Sequence, residues 1–197
     1  MQELISFMIA SILITLSPGP DIIMLVSYSL QKGFKPSIRF IMGLITGLLI
    51  HSLILIFGWS SFFSNSQIVL FYVKIIGFIY FFYLGILNLY PFLVQNRSNK
   101  KINNSINLFK HGIIMNISNP KVYMFFWLFF PNFLFSLEII ESFQYVILCS
   151  IFIFQVFVIF SLTAYFSSRI SNILKLDFLK PTSGLILIFL SIYILLS

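Results

Sequence analysis

Charge is what this sequence has least of. Lys, Arg, Asp and Glu make up 9% of its 197 residues, against 59% hydrophobic residues and a mean hydropathy of +1.04. Soluble domains carry about a quarter charged residues. This chain therefore cannot cover a globular surface with charge, which excludes a cytosolic enzyme, a nucleic-acid binder and a disordered segment. Cysteine is nearly absent. Cys149 stands alone, so a disulfide framework, a CxxC redox pair and a thiolate metal site supplied by one chain are ruled out. No P-loop, HExxH or GxSxG pattern occurs, leaving ATP hydrolysis and membrane-protease chemistry without residues to carry them. No enzymatic activity, cofactor or metal is expected. Alanine occurs only at Ala10 and Ala164, whereas 26 phenylalanines are spread along the chain. That distribution reads as a composition bias rather than as an aromatic cage for a cation.

What the chain does have is apolar length. A helix crossing roughly 30 Å of hydrocarbon needs about 20 apolar residues. Six runs qualify: Leu4–Leu30, Ser37–Phe62, Ile68–Val94, Gly112–Phe135, Phe143–Phe166 and Phe178–Leu196. Transmembrane strands would alternate apolar and polar residues, and blocks such as residues 75–83 do not. The first run carries Glu3 rather than basic residues at its start and is too long for a removable signal peptide. The expected fold is a single polytopic membrane domain, all-α, with six transmembrane helices. Repeat 1 covers residues 1–94, a basic cytoplasmic linker residues 95–111, and repeat 2 residues 112–197.

The few charges are sorted by loop. Lys32, Lys35 and Arg39 lie at the first connection, Arg97, Lys100, Lys101 and Lys110 at the third, and Arg169, Lys175 and Lys180 at the fifth. The second connection has no charge and the fourth carries Glu138 and Glu141. The positive-inside rule then puts the odd-numbered loops in the cytoplasm and both termini outside it. Fixing topology suffices to explain the basic linker, although such a segment also attracts anionic lipid. His111, at the same interface, reads as a solvated residue.

Three charges remain inside spans: Asp21, Lys74 and Lys121. A charge there is costly and usually functional. Lys74 lies near a span end, where snorkelling to the headgroups is an adequate account. Asp21 and Lys121 lie about nine and ten residues from the cytoplasmic ends of spans 1 and 4, which at about 1.5 Å per residue is one common depth. Opposite charges at one depth are expected to pair, either as a permanent lock between the halves or as a site that changes state during transport.

Three helices per half invert the second half relative to the first. At an offset of 100, Pro20-Asp21 aligns with Pro120-Lys121, a proline followed by a charge in each half's first helix. Proline removes a backbone hydrogen bond and clashes with the preceding turn, so Pro18-Gly19-Pro20 and Pro120 are expected to break helices 1 and 4 near mid-membrane. Unwound backbone at that depth is tolerated only when buried in protein or lining a cavity. Paired interrupted helices in two inverted halves point to a transporter binding site.

Other residues carry two readings each. Gly43 and Gly47 form a small-xxx-small face for close helix packing. His51, one turn further along, either relays protons or hydrogen-bonds a neighbouring helix. Asn116 and Asn119 either satisfy carbonyls freed by Pro120 or bind an amino acid's polar head. Gln155 has the same pair of readings, with interhelical bonding favoured.

Ser17-Pro18-Gly19-Pro20-Asp21 resembles the signature of the LysE/RhtB family of amino-acid exporters, the LysE-type translocators. Gly43-x3-Gly47-x3-His51 with Gly58 resembles that family's second helix, Lys74-x2-Gly77-x2-Tyr80 with Gly85 its third, and Gly112-x3-Asn116-x2-Asn119-Pro120-Lys121 its fourth. The resemblance spans residues 10–135 and continues weakly to Gly184. Pro36 stands where the family commonly has glycine, a departure that touches a loop rather than the site. The resemblance implies secondary export of an amino acid or close derivative across the bacterial inner membrane, driven by the proton-motive force. Implied partners are the substrate, protons and membrane lipid, with a homo-oligomer also open and no nucleic acid. Composition and spacing alone reach an inverted-repeat transporter, with a passive small-solute channel or a non-transporting membrane scaffold as rivals.

Overall fold

The computed structural model describes residues 2–17, 19–62 and 107–169, and single helical positions at 71, 72, 75, 78, 79, 82, 83, 86, 185, 188, 189, 191 and 192. Most of the spans expected at 68–94 and 178–196 lies outside the described residues, as do Pro18, Lys74, Gly77, Tyr80, Gly85, Gly184 and most of the linker. Among the described residues every regular element is helical.

Two helices begin the chain, α1 (Gln2–Leu16) and α2 (Pro20–Lys32). The sequence explains the gap between them. Pro18 has no N–H to give the Ile14 carbonyl, and Pro20 has none for the Leu16 carbonyl, so the α-helical ladder stops at Leu16. Pro20 then suits the first position of the next helix, where an N–H would be unsatisfied anyway. The two helices meet at a bend of 56° and together have the length and apolarity of one span.

At the other end of α2, Gly33 adopts φ +80°, a conformation that favours glycine, and its N–H returns to Ser29 O. The chain thereby enters α3 (Phe34–Phe62) at once. Pro36 falls in the first turn of α3, where proline is tolerated. Ser29 Oγ donates to Ser37 Oγ across the corner at 3.0 Å.

The stretch expected as the fourth span is not one helix with one break. It starts as α4 (Leu108–Ile117), stops at Ser118-Asn119, and resumes as α5 (Pro120–Met124). It then widens into a π turn (Phe125–Phe129) and tightens into a 3₁₀ turn (Phe130–Phe133). A π turn inserts an extra residue into the helical repeat; Phe125, Phe126, Phe129 and Phe130 are all buried. Their rings pack on one another and on neighbours: Phe126 stacks on Phe130 with centroids 4.6 Å apart, Phe125 meets Phe152 at 4.9 Å, and Phe7 meets Phe130 edge-on at 5.1 Å. Such pairs stabilise by about 0.5–1.5 kcal/mol each beyond burial. The long α6 (Glu141–Arg169) supplies Phe152.

α3 and α4 pack against each other through glycine. A Cβ on Gly43 would run into the Phe109 carbonyl oxygen, and one on Gly112 into that of Phe40. The small-residue face predicted at Gly43 thus lets two backbones touch within one chain. α6 packs across α1, α2 and α3 and closes the group.

The apolar stretch Phe34–Gly58 of α3 and the 29 residues of α6 are long and apolar enough to cross a membrane. Their outward residues are apolar too: Leu49, Leu53 and Phe57 on α3, and Phe154, Leu162 and Phe166 on α6, are exposed. A soluble surface does not present such a continuous apolar face.

Candidate functional site

The two interruptions meet. Asp21, in the first turn of α2, and Asn116, one residue from the end of α4, are both buried. Asn116 Nδ2 donates to Asp21 Oδ2 at 3.3 Å. Asn119 caps α5 by accepting from Lys121 N at 3.0 Å, and its side chain also lies beside the Asp21 carboxylate. Asp21 sits where the positive end of the α2 dipole favours an anion.

Lys121 answers the other side of the break. Its Nζ donates to Ile14 O at 2.9 Å and Ser17 O at 2.6 Å, at the carboxyl end of α1. Ile14 O is the carbonyl that Pro18 cannot serve, so an ammonium from the second half replaces an N–H missing from the first. A cation at a helix carboxyl terminus also suits the dipole. Gly19 leaves room for it: a Cβ there would lie 3.2 Å from Lys121 Nζ. Asp21 and Lys121 attract one another through space and line one cavity, but the ammonium donates to carbonyls rather than to the carboxylate.

His51 plays the matching part at the second break. Pro120 has no N–H for the Asn116 carbonyl, and that oxygen instead meets Asn119 N at 3.0 Å and His51 Nε2 at a long 3.5 Å. The His51 ring stands edge-on to Tyr123 with centroids 4.5 Å apart. Gly47, a turn before it, makes space for Asn116: a Cβ would come within 2.6 Å of Asn116 Oδ1. Each half thus supplies a basic side chain to a carbonyl left open by proline in the other.

The polar cluster is not saturated. Ser17 Oγ, Asp21 Oδ1, His51 Nδ1, Asn116 Oδ1 and Asn119 Nδ2 are buried without a hydrogen-bond partner. Leaving such a group unpaired typically costs about 1–3 kcal/mol, and a concentration of them is a mark of a ligand site. A small cavity of about 30 Å³ lies against Asp21, Asn116, Lys121 and Thr15, enough for a water or two.

Two residues go elsewhere. Gln155 is absent from the cavity wall and accepts a 2.5 Å hydrogen bond from Ser11 Oγ, tying α6 to α1. His111 is not simply solvated. It is half-buried, its Nδ1 is 2.9 Å from the hydroxyl of the fully buried Tyr28, and its ring lies on Phe40. Sequence reading overlooked Thr15 and the Ile14 carbonyl, and gave Ser17 no role beyond its place in the signature stretch. The carbonyl had a signal: it lies four residues before a proline. Gln144 was also missed. Its amide accepts from Phe135 N and Ser136 N and donates to Ser136 O and Ile139 O, clasping the loop that leads into α6.

Comparison with known proteins matches residues 12–197 to a family described as LysE type translocator. Homoserine/homoserine lactone efflux proteins of Salmonella typhimurium and Salmonella typhi are 31% and 32% identical to this chain over 137 residues. Each alignment covers 66% of this chain and 63% of the relative. The uncharacterized membrane protein YrhP of Bacillus subtilis is 26% identical over 144 residues, covering 68% of this chain and 69% of the relative. No solved structure matches significantly.

Proposed function

This chain belongs to the LysE type translocator family, and from that premise we propose that it exports a small amino acid or close derivative across the bacterial inner membrane in exchange for protons. The observation that carries the proposal is the meeting of two proline-interrupted helices around buried polar groups with unused hydrogen-bonding capacity. The unused acceptors, Asp21 Oδ1 and Asn116 Oδ1, suit an ammonium. Asn119 Nδ2, Ser17 Oγ and the free N–H groups at the start of α2 suit a carboxylate. A zwitterion supplies both.

In the proposed cycle Asp21 takes the substrate ammonium from the cytoplasm. When the site opens outward the substrate leaves and an external proton takes its place on the carboxylate. Once the site faces inward again, that proton passes to the cytoplasm and the next ammonium binds. Lys121 keeps the carboxylate compensated while the ammonium is away, and His51 is the second candidate for the proton. The full fold in this reading is six transmembrane helices in two inverted repeats, rocking against each other, with both termini outside the cytoplasm. The one-sided placement of basic residues supports that topology.

Two relatives are named for efflux of homoserine and its lactone, which makes homoserine the first cargo to test. Cells loaded with homoserine dipeptides and expressing the protein should accumulate homoserine outside against its gradient, and an uncoupler should stop this. Efflux that only equalises concentrations would mean a channel. No difference from empty vector for any of the amino acids, loaded as dipeptides, would overturn the exporter reading.

A further inference from the structure

The cavity beside Asp21 has two chemically different flanks. One carries the polar groups Thr15, Asp21, Asn116 and Lys121, with Ile14, Ile22 and Val122 beside them. The other is apolar: Phe152, Val156 and Phe160 recur at i, i+4 and i+8 on α6, and Phe125 from the π turn and Leu48 from α3 join them. All five are buried, and none has a part in holding a head group. Phe152 is fixed in place, with its ring 4.9 Å from Phe125, 5.7 Å from Phe126 and 5.9 Å from Phe130.

We propose that this apolar flank is the side-chain subsite, and that Phe152 and Phe160 set the maximum length of the cargo. The inference rests on the exporter reading, because it takes the head group to be held by Asp21 and its neighbours. A ligand seated there projects its side chain toward α6. Each added methylene gains apolar burial until the phenylalanine wall is reached, after which it can enter only by displacing interlocked rings. A charged terminus would meet no partner on that wall and would lose its hydration. The cargo is therefore an amino acid or derivative with a short, uncharged side chain. The π turn takes part by bringing Phe125 against Phe152.

The test uses the full chain in proteoliposomes loaded with one of a linear series: alanine, 2-aminobutyrate, norvaline, norleucine or lysine. Wild-type efflux should fall by about tenfold or more at one chain length, the scale on which pockets discriminate methylenes. Lysine, with the same carbon chain as norleucine, should leave no faster than norleucine. Phe152→Ala or Phe160→Ala should move the limit one or two methylenes longer, and Val156→Phe should shorten it. Phe157→Ala, at an exposed position of α6 outside the cavity wall, should leave it in place. Variants that stay monodisperse and carry alanine yet keep the wild-type limit would overturn the subsite, as would wild-type efflux of lysine faster than norleucine. The wild-type series needs no variant to fold. Wild-type protein that moves neither homoserine nor any of the series would instead overturn the exporter reading, and the subsite with it. Wild-type protein that moves homoserine but none of the series would overturn the subsite alone.

Discussion

Lys121 is the residue whose surroundings say most. Its ammonium fills two carbonyls at the carboxyl end of α1, those of Ile14 and Ser17, while its charge and that of Asp21 line one small cavity. Removing it leaves two kinds of debt, unserved carbonyls and an uncompensated buried carboxylate. Lys121→Met should destabilise the protein by about 3–5 kcal/mol, the usual cost of breaking one side of a buried charge arrangement. Asp21→Asn in the same chain should recover part of that loss. Denaturant melts in detergent of the two single variants and the double measure both effects, and additive losses would show that the charges do not interact. Asp21 itself is assigned the exchange of proton for ammonium. Asp21→Asn keeps the shape and its hydrogen bond to Asn116 but cannot titrate. It should abolish efflux driven by an imposed pH gradient while retaining counterflow in proteoliposomes at raised substrate concentration, since an amide oxygen still accepts from the ammonium but lacks the charge. If gradient-driven efflux survives in Asp21→Asn and is lost in His51→Ala, the proton belongs to His51.

At the level of elements, the interruptions define the site, and each has an identifiable cause in the missing N–H of a proline. Pro120→Ala restores a donor for the Asn116 carbonyl and removes the reason for the break between α4 and α5. A continuous helix would carry Asn119 and Lys121 out of register with Asp21. The variant should melt no lower than wild type yet export at least about tenfold more slowly, the scale of losing one positioned polar contact in a binding site. Unchanged efflux would mean that the break has no part in function. Gly47 makes a complementary case on α3. Gly47→Ala should push the Asn116 side chain away from Asp21, lowering efflux, whereas Gly58→Ala should not, since a Cβ at Gly58 meets nothing within 4 Å. Equal effects of the two alanines on efflux would remove Asn116 positioning from the account.

For the whole molecule, the test is topology. Ten of the twelve basic residues lie at or beside the three connections expected to be odd-numbered, so phosphatase fusions at Ser197 should be active and fusions near Lys100 inactive, with the pattern reversed for a cytoplasmic reporter. A cytoplasmic signal at Ser197 in the intact protein would end the inverted-repeat arrangement. The apolar faces of α3 and α6 require no aqueous surface, in keeping with a chain whose solvent is lipid.

The sequence by itself determined the two long apolar helices α3 and α6, because hydrocarbon thickness and helix rise leave little freedom in their length. α3 begins three residues before the expected Ser37 and ends at the expected Phe62, and α6 extends the expected 143–166 by two and three residues. It also located both interruptions, since proline's missing donor is a local property. Asp21, Asn116, Asn119 and Lys121 were legible for the same reason: buried charge and amide groups stand out against an apolar background. Tertiary structure alone decided who meets whom. That the Ile14 carbonyl takes the Lys121 ammonium, that Gln155 turns to Ser11 and that His111 finds Tyr28 all depend on where distant helices cross. The π turn at Phe125–Phe129 was likewise invisible, because its five residues suit an ordinary helix and only the crowd of rings from α1 and α6 accompanies the wider turn. Local chemistry fixes where a helix must stop; long-range packing fixes what takes up the groups it leaves behind.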